Sequence, residues 1–360
     1  MTDIAVQPTG PAAPAVESDT SNVDIDTPAD FIAAHPSFPT LIGNPEIRSR
    51  WRVEEDKANP AKQHYTRFGQ FALGAAFITF TAVIYAVTLE PWLAADFAVA
   101  PLTENVLLKL FLGALGLAGV GAQIFLLRGP LKEKWMDARF HAERLRSIKF
   151  QAFQAAACGG DAAAEAFTKR ALADLAADLG DVAAARENFE PAHGLVPHTG
   201  GPCTVTPAQL SELKNAYQKL RINRQSAYAR RQISKIKDES KLPTTSSEYS
   251  FWAGVGVAYV DAILAAFSVE ATWLRPVLHF VTLELFIISA LLFVLERGRN
   301  YNMALERYTD YRDQMIKVGE RLANAETPED FIACVAETER QALRELKTFC
   351  REAEKSTYLI

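Results

Sequence analysis

The sequence predicts an all-α polytopic membrane protein, with four transmembrane helices as two hairpins and long cytoplasmic helices. Three observations predict it. Four apolar blocks of spanning length alternate with charged segments. Lys and Arg crowd the same side of every block. The polar segments repeat apolar residues every three or four positions, the helical period.

The near-zero mean hydropathy averages over these unlike parts. The formal charge of -5 does too, because residues 1–40 hold six acids and no Lys or Arg. The remainder is close to neutral, which argues against a nucleic-acid surface. Four separated cysteines, Cys158, Cys203, Cys334 and Cys350, form no CxxC pair. That usage suits free thiols in a reducing compartment. No charged start followed by an apolar stretch marks a cleavable signal, so the first span is expected to direct insertion.

The first element is a disordered acidic, Pro-rich tail over 1–40, too poor in large apolar groups to offset ordering entropy. Thr27 and Pro28 offer a helix start within it. The first membrane hairpin with its amphipathic entry and exit helices covers 41–157. Its apolar blocks, 68–89 and 106–127, are each long enough at about 1.5 Å per residue to cross a core of about 30 Å. A cytoplasmic Ala-rich helix and loop follow over 158–207, with Phe167, Ala171, Leu175, Leu179 and Val182 on one stripe. Thr206-Pro207 opens a basic helix leading into the second hairpin, 208–325. Its blocks are 251–269 and 277–295, with 241–247 expected as a linker into the third span. Thr327-Pro328 opens a C-terminal cytoplasmic helix in 326–360.

The basic flanks include Arg48, Arg52, Arg128, Lys134, Arg230, Arg297 and Arg299, whereas 90–105 has no Lys or Arg and 270–276 has only Arg275. The positive-inside rule puts both termini in the cytoplasm and both turns outside. Trp92, Trp252 and Trp273 stand at block ends, where interfacial rings prefer to lie.

Catalytic signatures are missing: there is no phosphate loop, zinc helix or nucleophile turn, so no enzyme and no cofactor is expected. His193, His198 and Cys203 recur every five residues, a spacing that matches no standard zinc pattern, and a plain loop is the expectation. Gly113 and Gly116 in the second span, and Gly254, Ala258 and Ala262 in the third, present small faces for close helix packing, within a hairpin or between subunits. The polar residues of the second hairpin are Asp261, His279 and Glu284. Asp261 and Glu284 lie near the middles of their own blocks and are expected at matched depth. A charged acid there is costly unless it faces water or a bundle interior, so the two form either a packing pair or part of an ion path.

The segment WMDARFHAERLRSIKFQAF, carrying Trp135, Arg139, Ala142, Glu143, Leu145, Ser147 and Phe150, resembles the exit helix of SLATT-type bacterial membrane proteins. YQKLRINRQSAYARRQISK, over 217–235, resembles their entry helix. The resemblance covers 48–155 and more loosely 208–320, a tandem, although Tyr301 stands where Trp135 would align. It implies an oligomeric pore-forming effector of bacterial defence in the inner membrane, answering a cytoplasmic activating partner. The rival readings are a non-catalytic membrane scaffold for a cytoplasmic helical, coiled-coil-like assembly and an ion channel or transporter subunit.

Overall fold

The computed structural model describes residues 24–97, 106–128, 130–178, 180, 182–195, 203–266, 274–299 and 301–355. Their regular secondary structure is all helix, with no strand among the described residues. Two short helices, α1 (Ala29–Ala33) and α2 (Pro39–Gly43), precede α3 (Pro45–Thr88), a 44-residue helix. Then come α4 (Glu90–Phe97), α5 (Val106–Arg128) and α6 (Leu131–Asp178). The second half holds α7 (Val182–Glu187), α8 (Pro207–Tyr217), α9 (Asn223–Ala266), α10 (Leu274–Arg299), α11 (Tyr301–Ala323) and α12 (Pro328–Lys355).

Local chemistry explains the ends. Thr206 and Gln209 close a reciprocal capping box at the start of α8, satisfying amides the helix leaves open. Thr327 does the same for α12, its hydroxyl accepting from the Asp330 amide at 3.1 Å. A five-residue π segment, Gln218–Ile222, joins α8 to α9 without a break. Inside α6 the path turns at Gly159 and Gly160; only Gly160, at φ 71, requires the left-handed region that glycine tolerates.

Three helical stretches are long and apolar enough to cross a membrane: α3, the continuous α8–α9 run, and α10. A shorter apolar helix, Leu110–Ala122, lies within α5. Here α3 packs between α5 and α10, and α10 packs on α9. Large apolar side chains remain uncovered along this row, including Val87, Leu117 and Tyr259, at 72%, 75% and 68% exposure. Water would penalise so continuous an apolar face, and lipid would not.

The other ends of these helices converge with α6, α11 and α12 into a packed head. Tyr217 sits at its centre, edge-on to Phe153 at 5.3 Å, Phe150 at 5.9 Å and Phe331 at 6.0 Å. Ile47 and Trp51 of α3 and Met315 of α11 join the same core. The predicted stripe Phe167, Ala171 and Leu175 is buried there too.

Three expectations fail. The stretch expected as a disordered tail folds from residue 24 onward. Ile25 and Phe38 are buried, and Asp161 accepts the Thr40 and Leu41 amides at 3.1 and 2.8 Å. Asp26 meets Arg48 at 2.6 Å and Arg52 at 2.9 Å, so ion pairs and a few apolar anchors suffice where composition is poor. Thr27 does not cap α1; its hydroxyl accepts from buried Lys149 at 3.1 Å. The expected linker at 241–247 is helical, with Pro243 inside α9. Residues 1–23, 98–105 and 267–273, and His198 lie outside the described residues.

Candidate functional site

Polar groups gather at two places: within the apolar row, and in a cavity where the row meets the head. In the row, reciprocal serine bonds fix the second hairpin's register. Ser247 Oγ donates to the Ser289 carbonyl at 3.1 Å, and Ser289 Oγ donates to the Ser247 carbonyl at 3.0 Å. Gly254 lies against Leu285 and Phe286, where an added methyl would stand 3.2 Å from the Phe286 ring. This register places Asp261 opposite His279, Nε2 to Oδ2 at 2.9 Å.

The matched depth expected for Asp261 and Glu284 is therefore corrected. Glu284 lies five residues, about 7.5 Å, further along α10 than the partner of Asp261. It reaches the other hairpin instead, where Thr81 Oγ1 of α3 donates to its Oε2 at 3.1 Å. One carboxylate oxygen of each acid, Asp261 Oδ1 and Glu284 Oε1, is buried without a hydrogen-bond partner among the described residues. Block midpoints misled because the third helix enters its apolar region through 241–250, a Ser-, Thr- and Pro-containing stretch that packs on α10.

The small residues divide in the same way. Gly116 lies against Thr79 and Gly119 against Ala75, so both seat α5 on α3 within the first hairpin. Gly113 and Gly121 meet nothing, and Ala262 is exposed; Ala258 is half-buried.

The cavity, of about 470 Å³, lies between α3, α6, α9, α11 and α12. Eight Lys and Arg side chains line it against six Asp and Glu. Trp135, Arg139 and Glu143, singled out in the exit helix, line it together; Leu145 and Ser147 of that helix are buried in the head instead. Arg139 bridges Glu143 at 2.7 Å and Glu55 at 3.7 Å. Deeper in, Arg307 meets Glu352 at 2.8 Å and Arg146 meets Asp24 at 3.0 Å. Trp135 packs edge-on to Phe349 at 5.4 Å.

At the wall, Arg221 makes two bonds to Glu339, at 2.7 and 2.8 Å, and Tyr217 donates to the same carboxylate at 3.2 Å. Burial pushes Glu339 above the ordinary carboxylate range, while Arg221 opposes that rise. Burial likewise raises Glu345 and Glu352, opposed by Arg307.

Sequence reading missed one further pair. Cys158 and Cys203, 45 residues apart, bring their sulfurs to 3.1 Å. Thr204 fixes the contact, its amide and hydroxyl both donating to the Cys158 carbonyl, at 3.1 and 2.6 Å. No His, Cys, Asp and Glu cluster fit for a metal occurs among the described residues. The fold and polar sites together define an all-helical protein with membrane-length helices rooted in a charged head. No family model matches the chain, nor does any curated protein or solved structure.

Proposed function

We propose that the chain is a four-span oligomeric protein of the bacterial inner membrane, resembling SLATT effectors, whose head controls an ion path beside α9 and α10. α5 supplies the fourth span. Phe68 of α3 contacts Phe125 of α5 at 5.2 Å, so the inner ends of that hairpin align near Arg128. The basic flanks then place the head and both termini in the cytoplasm.

One observation carries the conduction reading. The His279 side chain is 57% exposed within an apolar helix, and it holds Asp261. Hydrocarbon offers such a pair nothing, so water or a neighbouring subunit covers that face. Subunits arranged with α9 and α10 inward would line a polar path, as acidic rings do in cation channels. Glu284, bonded to Thr81, acts instead as a clasp between hairpins.

The tightly packed head favours one rival, a non-conducting scaffold that anchors cytoplasmic helices. Controlled overexpression separates the readings. A pore depolarises cells and arrests growth, whereas unchanged membrane potential with confirmed insertion favours the scaffold.

A further inference from the structure

The cavity's charges are unevenly matched. Its deep arginines hold carboxylates at 2.8 to 3.0 Å. Toward the membrane the lysine pairing loosens: Lys235 stands 3.7 Å from Glu239, while Arg139 keeps Glu143 at 2.7 Å and stands 3.7 Å from Glu55. Lys62 makes no hydrogen bond or ion pair with any described residue, and it lines the same cavity. It lies six residues before Phe68, about 9 Å along α3 from the apolar row. Three helices thus turn cations toward one space just below the proposed membrane boundary, in a lining that holds eight Lys and Arg to six Asp and Glu.

We propose that this juxtamembrane cavity binds a phosphate ester, with Lys62 and Lys235 as its principal cations and Arg139 behind them. A phosphate carries the multiple charge that several converging cations match, and an arginine fork meets its oxygens in pairs. At about 470 Å³ the cavity holds far more than a bare phosphate. Trp135, Tyr228 and Tyr301 supply walls for the rest of the ligand. Burial, and then the neighbouring Lys235, lowers the Lys62 pKa, a repulsion that a bound anion would relieve. The same chemistry arrives either as a free phosphorylated small molecule from the cytoplasm or as the headgroup of an anionic lipid. Because α3, α6, α9 and α11 all line the site, occupancy ties four helices leading to or from the membrane. This goes beyond the pore reading, and its binding test does not depend on conduction.

The experiment uses the full chain, with ionic strength held constant. Inorganic pyrophosphate is titrated into protein in neutral detergent, and nanodiscs of phosphatidylglycerol are compared with nanodiscs of phosphatidylcholine; thermal unfolding and calorimetry are read. Wild type should respond saturably to one source. Lys62→Gln/Lys235→Gln should weaken that response roughly tenfold or more, the scale of losing close charge pairs. Lys169→Gln, elsewhere on the exposed surface, should leave it unchanged. A pyrophosphate response assigns a soluble ligand, and a response to phosphatidylglycerol alone assigns the lipid. Lys62→Gln alone, which removes no internal bond, guards against misfolding of the double variant. No saturable response to either source, or an equal response in the Lys62 and Lys235 variants, overturns the site.

Discussion

Arg221 and Glu339 show how single residues hold the head together. Arg221 is 2% exposed and Glu339 fully buried, with Arg221 stacked 4.6 Å over Phe150. Removing one member of such a pair strands the other charge, which typically costs about 3–5 kcal/mol. Glu339→Ala should therefore sharply lower the unfolding midpoint, while Arg221→Leu/Glu339→Leu should recover much of the loss. Lys149 gives a pH test. Burial, against the pull of Asp24, lowers its pKa to about 8. Between about pH 8 and 10.5 the unfolded chain keeps this proton and the folded chain has lost it, so stability rises with pH across that window. Lys149→Met should abolish that rise, an effect of up to roughly 3 kcal/mol. The two thiols at 3.1 Å give a third test. Burial, together with the bond to Cys158, pushes Cys203 up to about 12. Diamide, which takes up the two hydrogens, should link Cys158 to Cys203 and leave buried Cys334 and Cys350 free; mass spectrometry without reductant reads this.

At the scale of elements, the legible features were those written in short-range chemistry. Thr206-Pro207 and Thr327-Pro328 announce their helices because a cap and a first-turn proline are read from adjacent residues. Long-range register was not legible. Hydropathy marks where apolar residues begin, yet Ser247 and Ser289 bond across the hairpin and set the offset that separates Asp261 from Glu284 in depth. The π segment escaped notice for a similar reason. It lies where α11 comes close, since a methyl at Gly319 would stand 3.0 Å from Ile222. Nor does composition reveal that Asp24 and Asp26 fasten the N-terminal stretch to α3 and α6. Packing of the first hairpin is testable through its glycines. An added methyl at Gly119 would sit 2.9 Å from the Ala75 side chain, whereas Gly121 faces open space. Gly119→Leu should loosen the α3–α5 hairpin and raise protease sensitivity in detergent, and Gly121→Leu should behave as wild type.

Over the whole molecule, continuous helices join the apolar row to the head. A helix that is continuous from head to apolar row links the packing of one to the other. The proposed orientation predicts that cysteines placed at Asp96 and Thr272 label from outside intact cells, while one placed at exposed Lys169 labels only after permeabilisation. External labelling at position 169 would invert the topology. The central claim is that the exposed Asp261–His279 pair lines an ion path while Glu284 joins the hairpins. Its most direct test is the reversal potential under a salt gradient, with purified protein in planar bilayers. Wild type should conduct with cation preference. Asp261→Asn should shift the reversal potential toward that of an unselective pore, and Glu284→Gln should leave it near wild type. An unchanged reversal potential in a conducting Asp261→Asn channel, or no conductance from correctly inserted wild type, would contradict the account.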